Sequence, residues 1–102
     1  MKTYVILRRN AWPHPAAAEQ AVGRSDQAAA QMPDTIHRVR TYVLDEGGDA
    51  LGSVCIYEGT DEQAIRDHAD RAGLPADSVV EIVDTIDYAD SFTGAAAAPS
   101  QA

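Results

Sequence analysis

A sequence of 102 residues with 45% hydrophobic content supports one domain built on one modest core. Sixteen Asp and Glu against eight Lys and Arg leave a formal charge of −8, which argues against a nucleic-acid or anionic-membrane partner, since both reward a concentrated positive field. One cysteine, Cys55, excludes an intramolecular disulfide and any CxxC motif, and no apolar run approaches the ~18 residues that span a bilayer. The segment from Met1 to Arg9 is too short in apolar residues for a secretory leader and has no cleavage pattern. The expectation is a cytoplasmic single-domain protein.

Tyr4 to Leu7, extended back by Thr3, is β-branched and aromatic and reads as the first strand. The run Asn10-Ala11-Trp12-Pro13-His14-Pro15 breaks regular structure, because each proline lacks an N–H and restricts its predecessor. Pro15 suits the first position of a helix. Between Ala16 and Met32, residues Ala18, Val22, Ser25, Ala29 and Met32 recur at steps of three and four, a narrow stripe of small side chains weakened by Gly23. Pro33-Asp34 ends that helix. Ile36 to Leu44 follows as a strand, with Val39, Thr41 and Val43 expected on one side and Arg38, Arg40 and Tyr42 on the other.

The polar stretch from Asp45 to Asp49 reverses the chain, and Leu51 to Glu58 completes an antiparallel hairpin. Thr60 and Gln63 have the spacing of a capping box, and the helix they start ends at Ala72, with Gly73 suited to a left-handed C-terminal residue. Ser78 to Ile86 reads as the last strand. Residues 3–88 are the expected folding unit and residues 89–102 a flexible Ala-rich tail. The order βαββαβ closes most simply as a ferredoxin-like α+β fold, a four-stranded antiparallel sheet with two helices on one face. The other face is left to water, a ligand or a second subunit, and a homodimer is the expectation.

No Walker loop, GxGxxG, HExxH or GxSxG is present. Cys55 and Tyr57 share one face of the third strand and Val54 and Ile56 the other, with Arg40 and Tyr42 expected beside Tyr57 and Cys55 across the hairpin. An unpaired cysteine is ordinarily a small buried hydrophobe. As a thiolate ligand or reactive thiol it needs a cation or metal beside it. His68 lies four residues after Ala64 and three after Ile65, pointing inward or along the helix flank. It is either a half-buried structural histidine or a ligand and proton carrier. Which face of the third strand the helices cover, and so whether His68 meets Cys55, is left open by apolar residues on both sides.

Glu58, Glu81 and Asp84 sit at strand ends, where carboxylates are ordinarily solvated; with His68 they could supply oxygen and nitrogen ligands to nickel, zinc or copper. His14 and His37 read as incidental. Arg8, Arg9, Arg38 and Arg40 concentrate half of the eight basic residues. They pair with surface carboxylates or bind a small carboxylate or phosphate.

Tyr4 to Arg9, Arg38 to Val43, Val54 to Glu58, Glu62 to Ala69 and Ala72 to Asp77, in this order and spacing, resemble the small bacterial nickel-responsive or nickel-binding protein family. The resemblance runs over residues 3–87 and is strongest from Cys55 to Pro75. It implies a ferredoxin-like fold, a homodimer and bound nickel in some members, with no established reaction. His68, Cys55 and Glu58 are the positions in that pattern able to ligate a metal, while Tyr42 and Tyr57 shape a pocket. Trp12 to Pro15 and the tail fall outside it.

Two functions lead, beside a third reading as an interaction module whose only ligand is its own copy. One is a non-enzymatic homodimer binding nickel or another divalent transition metal through His68, Cys55 and Glu58. The other is an enzyme of the dimeric α/β-barrel kind, a monooxygenase or isomerase working on a small organic molecule at the open sheet face. There Arg40, Tyr42, Tyr57 and Cys55 would line the pocket and Tyr57 or His68 would carry the proton.

Overall fold

A computed structural model describes residues 1–88; the tail expected over 89–102 lies outside the described residues. The elements are β1 (Lys2–Trp12), α1 (Pro15–Ala30), β2 (Ile36–Asp45), β3 (Leu51–Gly59), α2 (Glu62–Ala72) and β4 (Ser78–Ile82). They form the ferredoxin-like arrangement, an antiparallel sheet in the order β2-β3-β1-β4 with both helices on one face. No helix among the described residues is long and apolar enough to cross a membrane.

The helix-covered face of the central strands carries Tyr4, Ile6 and Arg8 from β1 and Ser53, Cys55 and Tyr57 from β3, all buried. Strand alternation then puts Val5 and Leu7, paired with Ile56 and Val54, on the open face. Ile65 and Ala64 of α2 complete the core with Met32, Ile36 and Val79. The helices lean on small side chains. α1 buries only Ala21, Ser25 and Ala28, so Ser25 and the following Met32 are buried as expected, while Val22 is turned outward and Ala21 and Ala28 take the buried positions beside them.

Three local expectations are corrected. β1 does not stop before Asn10 but continues to Trp12, through an irregularity in its pairing with β3. Asn10 adopts a left-handed φ of 48° there, tolerable for Asn. Glu46 makes this possible: its carboxylate accepts the Asn10 N–H at 2.8 Å and both Arg9 Nε and Nη2 at 2.8 and 2.7 Å. The α2 cap is Asp61 rather than Thr60, its carboxylate accepting the Ala64 N–H at 2.8 Å. β4 ends at Ile82, so Asp84 lies beyond the sheet. Gly73 does take the left-handed C-cap, at φ 65°.

Gly52 lies against the Arg8 backbone and the Glu46 carboxylate; a Cβ there would stand 2.5 Å from the Arg8 carbonyl oxygen. Gly52→Ala should lower stability to urea by about 1–3 kcal/mol, because a backbone atom cannot step aside. The Arg9 and Asn10 hydrogen bonds hold the Glu46 carboxyl at about 2, below its ordinary 4.5. Its stabilising contribution is complete above pH 4.5 and is lost as the pH falls toward about 2. The urea midpoint of Glu46→Gln should therefore fall less steeply across that window than that of the parent; parallel curves would refute this.

Candidate functional site

Because α1 presents Ala18, Ala21 and Ser25 toward the sheet, the layer between helix and strands is not filled. A cavity of about 310 Å³ remains, with Arg8, Ser53, Cys55 and Tyr57 at its floor. Val22 of α1 and Val39 and Val43 of the β2 edge, 59, 51 and 62% exposed, form its rim.

Donors converge on the Cys55 sulfur. Arg8 Nη1 approaches Sγ at 3.1 Å, Thr41 Oγ1 at 3.3 Å and Ser53 Oγ at 3.6 Å. Arg8 is 1% exposed, and its Nε and Nη2 have no hydrogen-bond partner among the described residues. Arg38 lies opposite Tyr57 and donates through Nη1 to Asp26 Oδ1 at 2.7 Å and Ser25 Oγ at 3.1 Å. Its charge is therefore compensated, unlike that of Arg8.

The expected neighbours Arg40 and Tyr42 are not in this group. Val39 is an extra residue in β2, so pairing runs Arg38 with Tyr57 and then Arg40 with Ile56. Beyond it the alternation inverts. Thr41 and Val43 face Cys55 and Ser53 on the helix side of the sheet, exposed at the β2 edge, while Arg40 and Tyr42 pair with Ile56 and Val54 of the open side and are hydrogen-bonded to each other at 3.2 Å. Of the expected ligand-binding set, Arg40 and Tyr57 both line the cavity, while Tyr42 pairs with Val54 on the open face.

The proposed metal set is split as well. Cys55 and His68 lie on the same, helix-covered side, but Glu58 points to the open face. There its Oε1 meets His37 Nδ1 at 2.9 Å. Among the described residues no three His, Cys, Asp or Glu side chains are grouped to hold a metal ion. His37 was missed because its partner is set by hairpin register, which spacing along the chain does not reveal. Arg8 was missed as a buried group because an arginine on a strand ordinarily reaches solvent.

His68 is fully buried, edge-on to the Tyr57 ring at a centroid distance of 5.3 Å. Its Nε2 lies 3.2 Å from the Ser25 carbonyl oxygen, which can only accept, so Nε2 carries the proton and Nδ1 is left bare in the core. Burial raises the Tyr57 phenol above its ordinary range, opposed by Ser25, Arg8 and Arg38. Burial, with Arg8 and Arg38 adding to it against the Ser25 hydrogen bond, pushes the His68 imidazole below its ordinary 6.5. The folded protein keeps this ring neutral where the unfolded chain would protonate it. Stability from this source is complete above pH 6.5 and declines as the pH drops below it. His68→Gln should remove that decline, measured as urea midpoints between pH 7 and pH 5; an unchanged slope would count against it.

A comparison with curated proteins gives no match. The crystal structure of SCO4226 from Streptomyces coelicolor A3(2) is similar, with a TM-score of 0.63 at 21% identity over 82% of this chain and 99% of that one. That likeness speaks for the shared fold. The family described as nickel responsive protein SCO4226-like matches residues 4–82. With most of its length matched, from the first strand through the last, this chain belongs to the SCO4226-like nickel-responsive protein family.

Proposed function

We propose that the protein binds a nickel-type divalent cation as a homodimer, each copy contributing the His37 and Glu58 side chains. The observation that carries this reading is the His37–Glu58 pair, an imidazole nitrogen and a carboxylate oxygen 2.9 Å apart on adjacent strands, with side chains 70 and 40% exposed. Imidazole and carboxylate are donors that suit nickel, and family membership favours that metal. One copy supplies one nitrogen and one oxygen, short of a full ligand set. Two copies supply two of each.

The open face supports a second copy as the source of the missing donors. Register aligns Val80, Val5, Ile56 and Arg40 in one row across the sheet, and Leu7, Val54 and Tyr42 in the next. Val80 and Tyr42 are 56 and 51% exposed. Covering such a surface is favourable at roughly 25 cal/mol per Å² of apolar area, and the His37–Glu58 pair lies on this same face. Cys55 and His68 are left out of this reading, because His68 is fully buried and the Cys55 sulfur lies among Arg8, Thr41 and Ser53.

Calorimetric titration of untagged protein with Ni²⁺ tests the reading, tag histidines being excluded because they bind the metal themselves. Saturable binding near one ion per two chains is expected, with at least about tenfold loss in His37→Ala and in Glu58→Gln and full affinity in His68→Ala. Sedimentation should show a dimer. Absence of saturable binding, a monomer, or full affinity in His37→Ala would overturn it.

A further inference from the structure

We infer that the cavity beneath α1 binds a small organic carboxylate, recognised by the guanidinium of Arg8. This rests on a different face and different residues from the metal reading and stands apart from it. Arg8 Nη1 is turned to the Cys55 sulfur. The Nε–H and the adjacent Nη2–H lie parallel on the opposite edge of the guanidinium, by its covalent geometry, and form the fork that matches the two oxygens of a carboxylate. Those two nitrogens are the ones left without an acceptor. No Asp or Glu forms an ion pair with Arg8 among the described residues. A buried guanidinium without a counter-charge is costly to maintain, and an anion at this edge removes the cost.

The cavity has the charge and shape for such a ligand. In a protein of net charge −8, its lining contains no Asp or Glu among the described residues. Arg38 is balanced by Asp26, and Arg40, which also lines the cavity, donates to the Tyr42 hydroxyl, so the buried charge at the floor without an ion pair among the described residues is that of Arg8. That favours a monoanion over a phosphate dianion. Thr41 and Ser53 provide hydroxyls beside Arg8, while Ala18, Ala21, Val22 and Val43 form an apolar wall suited to a hydrocarbon body. At about 30 Å³ for each water-sized unit, the volume of about 310 Å³ holds a body of roughly ten non-hydrogen atoms. Nε and Nη2 are shielded from solvent, so binding requires the Arg8 side chain to turn this edge into the cavity it lines.

The test is a metal-free titration with benzoate and hexanoate, against benzamide as the neutral counterpart of benzoate and against inorganic phosphate. It is followed by amide chemical shifts across Ser53 to Tyr57 and by the thermal midpoint. At least one of the two carboxylates should saturate and raise the midpoint, with benzamide and phosphate at least about tenfold weaker. Arg8→Met should abolish carboxylate binding with a folded spectrum, Arg38→Gln should weaken it, and Cys55→Ser should retain it. His37→Ala should bind carboxylate as the parent does, which separates failure of this site from failure of the metal site. Benzamide binding as tightly as benzoate, phosphate binding as tightly as either carboxylate, no saturation with either carboxylate, or binding kept in Arg8→Met would each overturn the proposal. If Arg8→Met does not fold, the carboxylate–benzamide contrast on the parent protein decides alone.

Discussion

Where β2 runs beside β3, Val39 has no partner, and the alternation of side chains along the strand inverts beyond it. A strand has a period of two, so one unpaired residue exchanges the faces of everything that follows. Arg38 thereby stands on the helix side of the sheet, opposite Tyr57, in the company of Thr41 and Val43 at the exposed β2 edge. Arg40 and Tyr42 pass to the open face with Val54 and Ile56. Without that residue Arg38 would stand with Arg40 and Tyr42, and both the cavity floor and the open surface would have different compositions.

The second constraint is the size of the side chains on α1. Alanines and one serine bring the helix close to α2 and leave unfilled volume over β2 and β3, where a leucine-lined helix would have filled it. Polar groups gather around that volume: Arg8 on Cys55, Ser25 between Arg38 and His68, and His68 against Tyr57. The network is incomplete at two places, the Nε–Nη2 edge of Arg8 and Nδ1 of His68. An orphaned imidazole nitrogen in a neutral ring is tolerable; an orphaned guanidinium edge carries charge and is the harder of the two to keep buried.

The protein thus divides its chemistry by face. The open side offers an imidazole–carboxylate pair at the end of an apolar surface, in a molecule whose overall charge draws cations. The helix-covered side conceals a cationic floor from the surrounding acidity. The pairs of Arg9 with Glu46 and Arg38 with Asp26 consume two of the basic residues clustered in β1 and β2, so that cluster resolves into separate roles.

The sequence by itself determined the element order, the ferredoxin-like fold, the Gly73 cap and the family, because helix and strand periodicity, glycine conformations and motif spacing are local properties. Tertiary structure alone decided which face Cys55 occupies, that His68 joins it there, that Glu58 meets His37, and that Arg8 is buried beside a thiol. Each depends on register between strands distant in sequence or on the unpaired Val39, and a shift of one residue reverses the answer. The extension of β1 to Trp12 is of the same kind, since a carboxylate at position 46 holds open a bend that the prolines and Asn10 would otherwise end.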